Sequence, residues 1–357
     1  MPVEREPSCL IAAGGTGGHV LPSLAVAEAL VARGARVTFA GSPGRAEAQL
    51  VPEAGYELDT FEIAGLPRRP SVALFHSLLL AGKAPWACRR ILADRRPDVV
   101  LGGGGYVAGP MVLAAATRRI PAAIMEADAH LGLANRLALP FARRVFLAFP
   151  VEGMGAAGKY RVTGRPIPTR SKPIAREEAR RRFDLPVEGT VLLVYGGSQG
   201  ARSLNELAVE SFGEAGPLVL HLSGERDYAS LQSRVGRDGY RLLPYTHDFG
   251  AALAAADLAL ARAGGSVYEL AAAATPAVLV PYPHATADHQ SKNARYFEQA
   301  GAAVLVPENE LGRVPDLVRE LLADGARLGA MRGAMQRVAR PGAADEIAEE
   351  LIALARA

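Results

Sequence analysis

The stretch "CLIAAGGTGGHVLPSLAVAEAL", residues 9–30, decides the fold. An apolar run, Cys9–Ala13, meets the loop Gly14-Gly15-Thr16-Gly17-Gly18. His19 follows, and then apolar residues at helical spacing. Strand, glycine loop and helix in this order open a doubly wound α/β domain. A bare backbone lets a ligand approach closely, and the exposed amides with the helix dipole favour negative charge. A tight turn without a ligand gives the same pattern. The unit recurs further along, where Val191–Tyr195 runs into Gly196-Gly197-Ser198-Gln199-Gly200. Two more clusters follow apolar runs: Gly102-Gly103-Gly104-Gly105-Tyr106 after "DVVL", and Arg262-Ala263-Gly264-Gly265-Ser266 after "DLALA".

Outward from these loops, short apolar runs alternate with amphipathic stretches. Strands are expected at Cys9–Ala13, Arg36–Ala40, Glu57–Ile63, Val99–Leu101, Ala122–Met125 and Arg144–Leu147. A second set is expected at Val191–Tyr195, Val219–Leu222, Arg241–Pro244, Leu258–Ala261, Ala277–Val280 and Ala303–Val306. Between the sets, residues 148–173 are rich in Gly and Pro and read as a junction. Continuous apolar strands alternating with helices predict parallel sheets covered on both faces. The fold class is therefore α/β, with two doubly wound Rossmann-like domains and an interdomain cleft. The domains are expected at 1–163 and 164–340, with ligands at the carboxyl ends of the strands.

Composition narrows the function. The chain has 357 residues, with 40 basic and 37 acidic side chains and a net charge of +3. That balance by itself argues neither for nor against nucleic acid, so any basic feature is local, and no nucleic-acid partner is expected. Two distant cysteines, Cys9 and Cys88, form neither a disulfide framework nor a zinc spacing. The N-terminus lacks the layout of a signal peptide. No apolar run reaches the roughly 18 residues a membrane span needs. The first loop has Val20 where a dinucleotide fingerprint needs its third glycine, and neither loop carries a P-loop lysine. No His/Asp pair stands at ligand spacing after a strand. No metal and no cofactor are expected, and activity should survive a chelator.

Five segments together carry a resemblance: "GGTGGHVLPSLAVAEAL", "PDVVLGGGGYVAGP", "GGSQGARSLNEL", "ARAGGSVYELAAAATPAVLVPYP" and "DHQSKNA". In this order and spacing the chain resembles the MurG family of peptidoglycan glycosyltransferases, which have the GT-B fold. The resemblance implies transfer of N-acetylglucosamine from UDP-GlcNAc to the 4-hydroxyl of MurNAc in undecaprenyl-linked lipid I, giving lipid II with inversion. It also implies an N-terminal acceptor domain, a C-terminal UDP-sugar domain, and a last helix, 341–357, returning to the first domain.

The resemblance implies donor contacts at Gly197, Ser198, Gln199 and Gly200, at Gly264, Gly265 and Ser266, and at His289 and Gln290. Glu269 is implied for the ribose hydroxyls, although Ser266 and Glu269 are also spaced as a helix capping box. Thr16, Gly17 and Gly18 make room for phosphates of donor or acceptor. His19 at the helix start is a candidate base, and the alternative is that it only bonds the loop. Glu126 and Asp128 are rival bases, Asp128 standing where the family usually has Asn. Gly104, Tyr106 and Asn135 are acceptor-side candidates. The family's Gly-Asn-Pro-Val-Arg is here Gly164-Arg165-Pro166-Ile167-Pro168, so Arg165 is expected to supply the charge on the diphosphate.

Residues 65–90 form the one block both basic and apolar. Leu74, Phe75, Leu78 and Leu79 fall on one helical face, with Arg68, Arg69 and Lys83 among the flanking charges. The pattern alone fits a core helix with charged ends, and the lipid-linked acceptor favours an interfacial helix on an anionic membrane surface. The implied location is peripheral, on the cytoplasmic face of the cell membrane. The resemblance leaves room for protein partners in cell-wall synthesis. Competing readings are a UDP-GlcNAc 2-epimerase-type enzyme, a glycosyltransferase acting on diacylglycerol, and a non-enzymatic sugar-nucleotide-binding subunit.

Overall fold

The computed structural model describes residues 6–65, 72–151, 153–154, 158–197 and 199–357, with the side chains of residues 73, 74, 76 and 78 outside that description. The chain divides into two compact units. One is Met1–Pro168 with Pro341–Ala357, and the other is Thr169–Arg340.

The first unit holds seven strands: β1 (Ser8–Ala13), β2 (Arg36–Gly41), β3 (Leu58–Thr60), β4 (Val99–Gly104), β5 (Ala122–Glu126), β6 (Arg144–Leu147) and β7 (Tyr160–Val162). They pair in parallel in the order β3-β2-β1-β4-β5-β6-β7. Alternate residues of β1 go to opposite faces, as the pleat dictates. Cys9, Ile11 and Ala13 pack with the helix Gly17–Val31 and with Ile347, Leu351 and Leu354 of the last helix. Leu10 and Ala12 pack with Met111 and Val112 and with Ala84, Cys88 and Leu92. Burial pushes both cysteine thiols up to about 12, so they serve as small core hydrophobes.

The second unit holds β8 (Val191–Tyr195), β9 (Leu218–Leu222), β10 (Tyr240–Leu243), β11 (Leu258–Ala261), β12 (Ala277–Leu279) and β13 (Ala303–Leu305). These are parallel in the order β10-β9-β8-β11-β12-β13. In each unit the strand order reverses once, between β1 and β4 and between β8 and β11. Loops part at such a point, which is where doubly wound sheets bind ligands. All four glycine clusters lie at these two points.

Three expectations need correction. The run Glu57–Ile63 is a strand only over Leu58–Thr60. The strand read as Val99–Leu101 continues into the glycines as far as Gly104. The stretch read as a junction from residue 148 contains β7, whose Tyr-Arg-Val sequence is half-buried and carries no apolar run.

Candidate active site

In the first unit, β1 and β4 fall out of step at their ends: Ala12 pairs with Gly102 but Ala13 with Gly104. Such an irregularity re-aims the chain where pairing ends. Gly104 has φ +109°, and a Cβ on it would lie 2.5 Å from Cδ2 of His19. The bare backbone there gives the His19 ring its seat. Gly15, at φ +94°, lies under the Tyr106 ring, with a Cβ position 3.4 Å from it. The loops after β1 and β4 thus bring Gly104, Tyr106, Thr16, Gly17, Gly18 and His19 together. Thr16 and Gly18 are exposed, and His19 and Tyr106 are half-buried.

The helix Gly17–Val31 contains Pro22 in its second turn. Proline has no N–H, so the carbonyl four residues earlier, that of Gly18, loses its helical donor. The Arg165 guanidinium takes that carbonyl through Nη2 and donates through Nη1 to the Ala127 carbonyl at 3.0 Å. Arg165 is buried. It ties the first turn below His19 to the loop after β5.

That loop is organised by Glu126. Its buried carboxylate accepts from the Gly132 amide at 2.8 Å and Asn135 Nδ2 at 3.0 Å, both at Oε2, and from the Asp128 amide at 3.3 Å at Oε1. Burial raises the Glu126 carboxyl above its ordinary value. The Gly132 and Asn135 bonds oppose the rise, while the Asp128 charge adds to it. Asn135 Nδ2 also donates to the Met125 carbonyl.

In the second unit, the loop after β8 turns with Gly200 N–H donating to the Gly197 carbonyl at 2.9 Å. Gly197 and Gly200 have φ +86° and +69°, and a Cβ on Gly200 would lie 2.1 Å from the Ser223 carbonyl oxygen. Ser223 is backed by a buried relay. Asn205 Nδ2 donates to the Ser223 carbonyl and to Asp227, Asn205 Oδ1 meets His221 Nε2 at 3.0 Å, and His221 Nδ1 meets the Tyr240 hydroxyl at 2.8 Å. Because Oδ1 can only accept, Nε2 carries the proton and Nδ1 accepts from Tyr240. Burial pushes the His221 imidazole down to about 3, so it is neutral.

After β11, Arg262 is fixed by the Val280 and Pro281 carbonyls, Ser203 Oγ and the Glu308 carboxylate. It anchors the loop that carries Gly264, Gly265 and Ser266. Ser266 precedes the helix Val267–Ala272 without a capping bond from its own side chain. Gln290 Nε2 lies 3.9 Å from the Cβ position of Gly264, and its Oε1 accepts from the Tyr282 amide. His289 Nδ1 donates to the Thr286 carbonyl at 2.8 Å. Ala287 and Asp288, just before it, have φ +52° and +54°, a costly conformation for residues other than glycine. Tyr195, at the end of β8, is buried, and burial with the Glu269 charge pushes its phenol up.

The N-terminal domain model of glycosyltransferase family 28 matches residues 9–147, and the C-terminal domain model matches residues 191–347. The chain belongs to glycosyltransferase family 28. Relatives in the family include a protein of Halothermothrix orenii, 39% identical over 92% of this chain and 94% of its own length, and one of Halorhodospira halophila, 42% identical over 95% and 96%. Both are named UDP-N-acetylglucosamine–N-acetylmuramyl-(pentapeptide) pyrophosphoryl-undecaprenol N-acetylglucosamine transferase. Among solved structures, Acinetobacter baumannii MurG superposes with a TM-score of 0.78 at 29% identity, covering 98% of this chain and all of that one. A UDP-GlcNAc 2-epimerase of Neisseria meningitidis, at 14% identity and TM-score 0.66, shares the fold.

Within the family frame, the structure gives several expected residues partners that the sequence did not show. Arg165 was expected on a diphosphate. It belongs to the first unit, and two of its guanidinium nitrogens are committed to backbone carbonyls. Asn135 is buried, with its amide hydrogens used inside the protein. Ser198, Arg68 and Arg69 lie outside the described residues, as do the side chains of Leu74 and Leu78. On the helix Val72–Arg95, Phe75 and Leu79 are exposed together with Val72 and Trp86. Their spacing of three, four and seven puts all four on one stripe. Lys83 is exposed and lines a cavity of about 560 Å³ with Asp59, Glu62 and Arg90. Sequence reasoning passed over Trp86, whose place in the stripe was countable. It also passed over Pro22, which frees the Gly18 carbonyl for the distant Arg165, and His221, whose partners Asn205 and Tyr240 lie on other elements.

Proposed function

We infer that this family 28 enzyme transfers N-acetylglucosamine from UDP-GlcNAc to lipid I, the N-acetylmuramyl-pentapeptide pyrophosphoryl-undecaprenol acceptor, with inversion. The observation that carries this reading is the match across both domains to relatives named for that transfer. The geometry agrees, since each unit exposes glycine loops at its sheet's reversal point.

In this reading the second unit holds the donor. The amides of Gly197, Gln199 and Gly200 face the diphosphate, a contact that the family resemblance also implies for Ser198, and Gly264, Gly265 and Ser266 lie by the phosphates or the sugar. Glu269 accepts from the ribose hydroxyls. His289 and Gln290 meet the sugar hydroxyls. UDP leaves as a stable anion, so the transfer needs one base and no acid.

His19 is that base. It stands in the first turn of the helix Gly17–Val31, beside the glycine loop. Thr16, Gly17 and Gly18 leave room for phosphates, and Gly104 and Tyr106 complete the acceptor side. Glu126 and Asn135 hold the loop that carries Asp128, and Arg165 braces His19 from below. The stripe Val72, Phe75, Leu79 and Trp86, with Leu74 and Leu78 on the same helix and Lys83, Arg68 and Arg69 as cations, docks the enzyme on an anionic lipid surface. Among the described residues no helix is long and apolar enough to cross a membrane.

The deciding assay is UDP release from UDP-GlcNAc with and without a short-chain lipid I analogue. Release that depends on the analogue is expected. Conversion of the sugar without any acceptor would instead indicate an epimerase. Sedimentation with anionic vesicles tests the stripe. Binding that weakens with salt, and is lost in Phe75→Ser/Trp86→Ser, is expected; undiminished binding of that variant would remove the stripe from the interface.

A further inference from the structure

Glu47 is fully buried, yet no cation among the described residues pairs with it. Oε2 accepts from the Gly15 amide at 2.9 Å, and Oε1 accepts from the Ser42 amide at 2.9 Å and the Ser42 hydroxyl at 2.6 Å. It lies in the first turn of the helix Ala46–Glu53, where the helix dipole supports an anion. Two glycines make its slot. A Cβ on Gly14 would lie 2.3 Å from Oε1, and one on Gly41 would lie 2.6 Å from Cγ.

The peptide it holds is the reference point for the candidate site of the first unit. Gly15 lies under the Tyr106 ring. A Cβ on Gly105 would lie 2.1 Å from the Gly14 carbonyl oxygen, so the β4 loop rests directly on that peptide. The next glycine back, Gly104, seats His19. We propose that Glu47 is a positioning residue for the transfer: its carboxylate fixes the Gly14-Gly15 peptide and, through it, the seats of His19 and Tyr106. Both oxygens face N–H donors, so the slot takes a side chain with two acceptors. An amide at this position must turn its own NH₂ against either the Gly15 or the Ser42 N–H.

This chemistry sets an order between two substitutions. Glu47→Gln keeps the shape and loses an acceptor, whereas Glu47→Asp keeps both acceptors and loses length. If acceptance by both oxygens matters, Asp retains more turnover than Gln. If Glu47 only fills space, Gln retains more. Steady-state kinetics with the lipid I analogue should show kcat lowered about 10- to 100-fold in Glu47→Gln. The decrease should be smaller in Glu47→Asp, with the UDP-GlcNAc KM within about twofold in both. Unchanged kcat in Glu47→Gln, or Gln equal to or better than Asp, overturns the proposal. Hydrogen exchange on the unmodified enzyme gives an independent reading. The Gly15 amide should be protected, and free exchange there overturns the proposal even if a variant fails to fold. The inference rests on the reading of His19 and Tyr106 as site residues, and His19→Ala separates the two. Intact turnover in His19→Ala sinks that reading, whereas the Asp/Gln order tests Glu47 alone.

Discussion

At the scale of single residues, the first unit's candidate site is a matter of what stands where a side chain cannot. Gly104→Ala should place a methyl against the His19 ring at a φ that L-residues avoid. Turnover should fall at least about 10-fold while UDP still binds, which steady-state kinetics and calorimetry with UDP together check. His19→Ala should lower kcat by about 10²- to 10⁴-fold, the usual worth of a general base, at unchanged donor affinity. Arg165→Ala should act differently from loss of a diphosphate ligand. It strips the Gly18 and Ala127 carbonyls of their donor, a cost of about 1–3 kcal/mol each. A lowered melting temperature and lowered kcat are expected, with the donor KM little changed. A large rise in donor KM alone would restore Arg165 to the diphosphate. The glycine loops were legible in the sequence because bare backbone beside an apolar run has few other uses. The Gly18 and Ala127 contacts of Arg165 were not legible, because these partners, one of them a carbonyl orphaned by Pro22, are brought to it by the fold.

At the scale of elements, the buried relay behind the β8 loop gives a pH signature. His221 titrates near 3 in the folded chain and near 6.5 when unfolded. As pH falls below about 6.5 the unfolded chain takes up a proton that the folded one refuses. Stability is therefore full above that range and decreases toward pH 3, by about 1.4 kcal/mol per unit from this group. His221→Gln should flatten the slope of stability against pH by one proton between pH 6 and 4, as measured by denaturant unfolding; an unchanged slope would mean that His221 protonates in the folded protein. Element types were legible wherever strands are continuous apolar runs, as in β1, β8 and β11. Burial on both faces selects Val, Leu and Ala there. At the margins the signal thins, and β7 at the sheet edge went unseen.

At the scale of the whole molecule, the chain leaves the first unit at Pro168 and returns at Pro341. The returning helix Ala343–Arg356 buries Ile347, Leu351 and Leu354 in the first unit's core. Each such side chain contributes about 2 kcal/mol, a sum comparable to the stability of a whole domain. Truncation after Arg340 should therefore unfold the first unit and leave the second able to bind UDP. Two calorimetric transitions are expected in the full chain. UDP should raise only the one that survives truncation. Loss of UDP binding on truncation would contradict the assignment of the donor to the second unit.

The sequence by itself determined the α/β class, the two doubly wound units and the family. These depend on local order: an apolar run, then glycines, then a helical pattern, each a property of neighbours along the chain. It took the folded chain to show that Glu47 grips Gly15 across 32 positions, that Arg165 donates to the Gly18 carbonyl that Pro22 leaves without its helical donor, and that Asn205 fixes the His221 tautomer. A buried donor or acceptor is satisfied by whatever the fold brings within about 3 Å, and no spacing along the chain records that partner.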